Sequence, residues 1–113
     1  MSDKKPIRVG VSGAAGRMGR EIISFISGLS SHVLTMAVES ETHPYIGEFA
    51  GERQKVRITA EFDPTKVDVL IDFSTPAAAI KLLSECYEHQ IPMVIGVTGF
   101  SENEKSLIAA AHD

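Results

Sequence analysis

Three glycines at three-residue intervals, Gly13, Gly16 and Gly19, follow an apolar segment from Ile7 to Val11 and precede an amphipathic one. Glycines in this position can hold a diphosphate: Gly13 allows a tight turn, Gly16 lets backbone approach the phosphates, and Gly19 lets a helix pack closely on the strand. The helix start then offers free N–H groups and its positive dipole end to the anion. A plain strand-turn-helix joint carries similar glycines, so the spacing alone leaves both interpretations open.

An acidic residue narrows the choice. Glu39 lies 20 residues after Gly19 and ends the next apolar segment, Val33 to Val38. A carboxylate at that distance from the glycines can accept hydrogen bonds from the adenosine ribose of a dinucleotide. The two features together predict a dinucleotide site.

Composition limits the class of protein. The chain has 113 residues, 43% of them apolar, which fits one domain with a buried core. A net charge of −4 argues against a nucleic-acid partner, because such a surface needs a basic patch. The single cysteine excludes a disulfide framework. The polar stretch Ser2 to Lys5 has no signal core, and no apolar run approaches the about 18 residues of a membrane span. We therefore expect a cytoplasmic protein with no membrane partner.

Apolar periodicity predicts alternating strands and helices. The expected strands are Ile7–Ser12, Val33–Val38, a short edge strand in Val56–Thr59, and the buried strands Val67–Phe73 and Met93–Val97. The expected helices are Arg17–Gly28, one begun by Thr75 and Pro76, and one begun by a capping box of Ser101 and Glu104. Residues 39–55 form a long loop. The helix faces expected to point inward are Met18, Ile22, Phe25, Ile26 and Leu29; Ala79, Leu82, Leu83, Cys86 and Gln90; and Leu107, Ile108 and Ala111.

This alternation predicts an α/β fold, a single Rossmann-like domain with a doubly wound parallel sheet. Ligands of such sheets bind outside the carboxyl ends of the strands. Four segments fall there: Gly13–Gly19, Glu39, Asp72–Pro76 and Gly96–Phe100. Their expected meeting at one edge is stronger evidence for a ligand site than any single motif.

Longer stretches resemble a known family. Val11 to Arg20 reads VSGAAGRMGR, Val67 to Pro76 reads VDVLIDFSTP, and Val94 to Phe100 reads VIGVTGF, with the glycine-bounded loop GEFAG at Gly47–Gly51. In order and spacing these segments are similar to the N-terminal, dinucleotide-binding domain of the dihydrodipicolinate reductases, also called 4-hydroxy-tetrahydrodipicolinate reductases. The resemblance covers essentially the whole chain.

The resemblance implies hydride transfer from NADH or NADPH to 4-hydroxy-tetrahydrodipicolinate, giving tetrahydrodipicolinate in lysine (diaminopimelate) biosynthesis. It implies that the pyrophosphate is held by Gly13, Ala14, Ala15, Gly16, Arg17 and Met18. It implies that Glu39 binds the adenosine ribose, and that the nicotinamide is lined by Phe73, Ser74, Gly96, Val97 and Thr98. It supplies no catalytic residue and no metal ligand within this chain.

Three departures from the family pattern matter. The chain stops at Asp113, so we expect residues 1–113 to be the cofactor-binding domain, with the family's C-terminal substrate and tetramer-forming domain absent. The substrate would then bind mainly to that missing half, the full-length protein would be a homotetramer, and this domain would be a monomer. Ser40 stands where some members carry an arginine for the NADPH 2′-phosphate, which favours NADH. Val97 replaces a threonine that is common in the family motif.

Other polar residues have plainer interpretations. Cys86 is expected to pack in the core, and His32, His43, His89 and His112 show no metal-ligand spacing. Asp72 could act in the site, although capping the next turn through Ser74 or Thr75 N–H is favoured. Arg17 could contact phosphate or remain solvated.

Two other functions stay open. A non-catalytic nucleotide or coenzyme A sensor could use the same glycine turn, as could a different amino-acid-pathway dehydrogenase. The Gly96–Phe100 segment favours the reductase, because a sensor needs no nicotinamide-facing segment. Binding of NADH, NADPH and coenzyme A would separate these classes.

Overall fold

A parallel five-stranded sheet forms the centre of the computed structural model, which describes residues 5–111. The elements are β1 (Ile7–Ser12), α1 (Arg17–Ser27), β2 (His32–Val38), β3 (Ile58–Thr59), β4 (Val69–Asp72), α2 (Pro76–Glu88), β5 (Met93–Ile95) and α3 (Glu102–Ala111), with a short 3-10 helix at Pro64–Lys66. The spatial order is β3-β2-β1-β4-β5. The polar stretch before Lys5 and His112 lie outside the described residues.

Helices cover both faces of the sheet, as the alternating sequence predicts. On one face Val9 and Val11 of β1 pack against Ile23 and Ile26 of α1. On the other face Leu70 of β4 packs against two buried side chains that belong to α2. A strand covered on both sides reads as a continuous apolar run, which explains the three apolar residues Val69 to Ile71 of β4. The fold is therefore a doubly wound α/β domain, and this prediction is confirmed.

The inward face of α1 differs from the sequence prediction. Met18 and Phe25 were expected to face the sheet, but they are 45% and 69% exposed. The buried positions are Gly19, Ile23 and Ile26, so Ile26 was predicted correctly, while Gly19 and Ile23 were not predicted. Ile22 and Leu29 are partly buried. Gly19 escaped the apolar pattern because the contact of a glycine with the sheet is not hydrophobic.

Three further burial predictions are wrong. Val94 of β5 is 55% exposed, because β5 is an edge strand of the sheet over the described residues rather than a buried one. Leu107 of α3 is likewise 55% exposed, and Gln90 lies exposed beyond the end of α2. An apolar side chain can be buried, but the residue type alone does not determine whether the fold covers it.

The start of α2 follows the sequence prediction closely. Thr75 is extended, and its side-chain oxygen accepts a hydrogen bond from the N–H of Ala78 at 3.3 Å, while Pro76 occupies the first helical turn. We expect Thr75→Ala to lower the free energy of unfolding by about 1 kcal/mol, because an end N–H loses its acceptor. Urea unfolding measures this. Thr42→Ala, in an exposed loop, is the control and should change stability by less than about 0.5 kcal/mol; equal losses in both variants would contradict the capping role.

Candidate functional site

The carboxyl ends of four strands form one row at the edge of the sheet. The strand partners in this row are Val38, Ser12, Asp72 and Ile95, in spatial order. The segments that leave the row begin with Glu39, Gly13, Phe73 and Gly96. The four segments expected to converge from the sequence therefore meet at this edge, which is the ligand crevice of doubly wound sheets.

At two positions of the glycine turn, Gly13 and Gly19, only a residue without a side chain fits. Gly13 has a φ of +75°, and a Cβ there would lie 2.5 Å from the carbonyl oxygen of Phe73. A Cβ on Gly19 would overlap the carbonyl oxygen of Gly13 and lie 2.9 Å from its carbonyl carbon. The start of α1 is thereby held directly against the end of β1.

The start of α1 has the features of an anion site. Gly16 is the extended residue before the helix and supplies no side-chain cap. Within residues 5–111 the N–H groups of Arg17 and Met18 donate to no protein acceptor, and both residues are exposed. Free N–H groups at the positive end of a helix dipole suit a phosphate. Together with the empty space left by the glycines, the turn fits the diphosphate of a dinucleotide.

Glu39 contacts the glycine turn itself. Its Oε2 accepts a hydrogen bond from the N–H of Ala15 at 3.0 Å, and its Oε1 accepts one from the N–H of Ser40 at 3.1 Å. The N–H groups of Gly13 and Ala14 both donate to the carbonyl oxygen of Val38. The end of β2 and the turn after β1 are thus joined, with a half-buried carboxylate between them.

Arg17, which follows the glycine turn, also borders a cavity of about 850 Å³ between α1 and the loop around Gly51. Arg20 and Arg53 line the same cavity. Glu21 also lines this cavity. Arg53 comes from the long loop, so arginines from two separate segments of the chain line this cavity, with the carboxylate of Glu52 among them.

The opposite end of the crevice is built by the ends of β4 and β5. Asp72 is fully buried, and its Oδ1 accepts a hydrogen bond from the N–H of Ser74 at 2.9 Å. The N–H of Gly96 donates to the carbonyl oxygen of Asp72 at 2.8 Å. The ring of Phe73 lies against Gly96, where a Cβ would come within 2.6 Å of the ring Cδ1. Val97 and Thr98 follow, half-buried and exposed respectively.

Asp72 fulfils the capping role that the sequence favours, through the N–H of Ser74. Its Oδ2 is buried and has no hydrogen-bond partner among the described residues. Buried polar atoms are nearly always paired, so an orphan carboxylate oxygen is unusual. Sequence reasoning could not find it, because the burial of Oδ2 depends on packing between distant parts of the chain, whereas the sequence indicated only the position of Asp72 at the strand end and its cap on the next turn.

The long loop after β2 is ordered by backbone hydrogen bonds to its own far end. The N–H of Gly47 donates to the carbonyl oxygen of Ile58, and the N–H of Ile58 donates to that of Glu48, each at 2.8 Å. The N–H of Ala50 donates to the carbonyl oxygen of Val56 at 2.9 Å. The loop therefore has a defined path beside β3 and α1.

The cysteine and two of the histidines occupy structural positions. Burial, with smaller effects from Glu85 and Asp72, raises the pKa of Cys86 to about 11, so its thiol stays protonated at neutral pH. An inert thiol agrees with the packing role expected from the sequence. His43 accepts the N–H of Tyr45 at 3.0 Å, and a ring nitrogen of His89 lies 3.0 Å from the carbonyl oxygen of Glu85.

Comparison with known proteins gives a consistent assignment. Residues 7–113 match the family model described as dihydrodipicolinate reductase, N-terminus. The 4-hydroxy-tetrahydrodipicolinate reductase of Psychrobacter arcticus is 40% identical over 98% of this chain, and that of Buchnera aphidicola subsp. Schizaphis graminum is 41% identical over 89% of it. The matches span only 42% and 40% of those two relatives.

Solved structures confirm the fold. The dipicolinate-bound dihydrodipicolinate reductase from Paenisporosarcina sp. TG-14 superposes with a TM-score of 0.75 and 21% identity, covering 94% of this chain and 43% of that one. The aspartate semialdehyde dehydrogenase of Candida albicans, solved with NADP, gives a TM-score of 0.68 at 16% identity over 82% of this chain and 30% of that one. Within residues 5–111 no helix is long and apolar enough to cross a membrane.

Proposed function

The chain belongs to the dihydrodipicolinate reductase family, and from that premise we propose that it is the cofactor-binding part of a 4-hydroxy-tetrahydrodipicolinate reductase. The proposed reaction is reduction of 4-hydroxy-tetrahydrodipicolinate to tetrahydrodipicolinate, a step of lysine biosynthesis, with NADH or NADPH as the donor. The chain spans about two fifths of the relatives it matches. Substrate binding and tetramer formation are accordingly proposed for a part of the protein outside this sequence.

One observation carries the proposal: a glycine turn, a free helix start and a carboxylate meet at the strand edge where dinucleotides bind in such folds. When bound, the nicotinamide supplies a hydride, the hydrogen and electron pair of a C–H bond, and its neutral ring becomes a cation. The protein contributes binding and orientation to that chemistry.

We assign roles along the crevice from the same geometry. The backbone from Gly13 to Met18, through Ala14, Ala15, Gly16 and Arg17, would bind the diphosphate. Glu39 would accept hydrogen bonds from the adenosine ribose. Beyond the diphosphate the crevice passes Phe73 and Ser74 to Gly96, Val97 and Thr98, whose backbone groups would orient the nicotinamide carboxamide and select the ring face offered to substrate.

Calorimetric titration of the purified chain with NADH, NADPH and coenzyme A tests the proposal. Binding of a nicotinamide dinucleotide and no binding of coenzyme A are expected. Binding of coenzyme A alone would instead support the sensor function, and binding of none of the three would overturn the cofactor role.

The chain is expected to prefer NADH over NADPH by about 5- to 150-fold, or roughly 1–3 kcal/mol. Glu39 is fixed by two backbone N–H groups at the end of β2, and Glu41 adds a second carboxylate to the segment that follows. An added 2′-phosphate would meet these charges, whereas Ser40 offers only a hydroxyl. Calorimetry with both cofactors measures the ratio.

Two variants locate the source of that preference. Ser40→Arg should improve NADPH binding far more than NADH binding, because it supplies a cation beside the phosphate. If the unaltered chain binds NADPH as tightly as NADH, the interpretation of this strand end is wrong. Arg53→Gln tests the arginine of the long loop, which lines the same cavity as Arg17; unchanged affinities for both cofactors are expected, and a loss of NADPH affinity alone would identify Arg53 as the cation that pairs the 2′-phosphate.

A further inference from the structure

One half of a sheet face has no helix over it in the described part of the chain. On this face Val11 of β1 packs with α1, and the partly buried Val69 and Ile71 of β4 border the same cluster. Ile71 pairs with Val94 of β5, and paired residues of neighbouring parallel strands point to the same face. Val94 is 55% exposed, so this face is open at β5.

The two remaining helices within residues 5–111 lie on the opposite face. Leu70 and Met93, which alternate with the residues of the open face, pack with side chains of α2. Ile108 of α3 lines a cavity together with Met93 and Ile95, which belong to that opposite face as well. Parallel sheets are normally covered on both faces, so the open half over β4 and β5 has room for a further element.

The flank of α1 that borders this open half is apolar. The polar flank, with Arg20 and Ser24, lines the cavity next to the loop around Gly51, which lies beside β3. The other flank is therefore turned toward β4. Its side chains recur at the spacing of one helix side: Met18, Ile22, Phe25 and Leu29. Met18 and Phe25 are 45% and 69% exposed, although they lie next to apolar side chains of the sheet.

The α1 flank and the open sheet face together form one apolar groove. Its walls are Met18, Ile22, Phe25 and Leu29 of α1, with Ile71 and Val94 of the sheet. These side chains carry no charge, so the groove suits an apolar surface and not an ionic one. Helices that pack side by side have their axes about 8–10 Å apart, and the space between a helix flank and a sheet face accepts a second helix.

The length of the relatives identifies where such a helix comes from. The matched region is 42% of the Psychrobacter arcticus reductase and 43% of the solved Paenisporosarcina enzyme. More than half of each of those proteins therefore lies outside the part that corresponds to this chain. In α/β domains the helices that cover a sheet belong to the same chain as its strands, which favours a segment of the same protein over a second copy.

We propose that the apolar groove is the docking site of an amphipathic helix that the same protein supplies from the part outside this sequence. The inference rests on the proposed function, which makes this chain one part of a longer reductase. Because Met18 directly follows the glycine turn, the docked helix would lie beside the first turn of α1. It would thereby join the remainder of the protein to the proposed cofactor site by a packed contact.

Cysteine labelling tests the groove in a chimera in which residues 1–113 continue into the unmatched part of the Psychrobacter arcticus reductase. Maleimide labelling of Phe25→Cys and Val94→Cys is compared in the 113-residue chain and in the chimera, with the labelled peptides identified by mass spectrometry. Both cysteines should react at least about tenfold more slowly in the chimera, because a covered thiol reacts only when its cover opens. Ser24→Cys, on the polar flank, is the control and should react equally in both.

Three readings would count against the inference. Equal labelling of Phe25→Cys and Val94→Cys in the chain and in a chimera that circular dichroism shows to be folded would overturn it. Slow labelling already in the 113-residue chain, together with a dimeric mass by light scattering, would assign the groove to a second copy instead. If the chimera does not fold, the aligned positions of the Psychrobacter arcticus reductase are labelled, and fast reaction at those of Phe25 and Val94 would overturn it.

Titration of the same samples with NADH separates this inference from the proposed function. A chimera that protects both cysteines and binds no dinucleotide would count against the cofactor role and leave the groove assigned. A chimera that binds NADH while both cysteines react as fast as Ser24→Cys would overturn the docking site alone.

Discussion

Gly19→Ala is expected to weaken dinucleotide binding by about 100-fold or more and to lower the free energy of unfolding by about 2–3 kcal/mol. The added Cβ would overlap the carbonyl oxygen of Gly13 and lie 3.0 Å from the Cα of Ala14. Both neighbours are backbone, so no rotamer change relieves the overlap. The helix start must move away from the turn, and the free N–H groups then no longer converge on the diphosphate.

A second glycine of the same helix provides the control. Gly28 ends α1 with a φ of −91°, and a Cβ there would lie 3.6 Å from its nearest neighbour, the carbonyl oxygen of Phe25. Gly28→Ala should be neutral or stabilise by up to about 1 kcal/mol, because alanine has less freedom in the unfolded chain. Calorimetry and thermal unfolding of both variants decide the matter: unchanged NADH binding by Gly19→Ala would refute the close-packing role of that glycine.

The purified 113-residue chain is expected to bind cofactor and yet to reduce 4-hydroxy-tetrahydrodipicolinate at a rate at least about a thousandfold below that of a full-length relative. Holding hydride donor and acceptor together is worth effective concentrations of about 10⁵ M or more. The crevice assigned here accounts for the donor. We assign no substrate-binding or proton-donating group to this chain, and the matches extend over only about two fifths of the relatives.

The decline in absorbance of NADH measures this rate, with the Psychrobacter arcticus reductase assayed in parallel as the positive control. Binding must be shown in the same sample, so that absence of turnover is not mistaken for misfolding. Steady-state reduction of the substrate by the chain alone would contradict the prediction and would require a substrate site within these residues.

The order of elements and the ligand edge were predictable because each has a local signal. A buried parallel strand reads as an apolar run, a capping residue marks a helix start, and parallel strands place their carboxyl ends together. The capping box shows how local such signals are: the N–H of Ser101 donates to Glu104 at 2.7 Å, and the N–H of Glu104 donates back to Ser101 at 3.2 Å.

Features that depend on distant residues were not predictable. The phase of α1 is set by the contact of Gly19 with Gly13, so Ile23 faces the sheet and Phe25 does not. The exposure of Val94 depends on whether a helix covers its face of the sheet at β5. The contact between Glu39 and Ala15 joins residues 24 positions apart. No propensity or periodicity encodes such contacts, although the spacing of Glu39 did place it correctly at the end of β2.

The hydrogen bond from Ala15 to Glu39 has a practical consequence. It joins two arms of the crevice through the protein's own groups, so part of the ordering cost of ligand capture is met when the chain folds. Preorganised pockets change little in backbone position when they are filled. Crystals grown without ligand should therefore tolerate soaking, which makes the domain suitable for fragment screening at the adenosine end of the crevice.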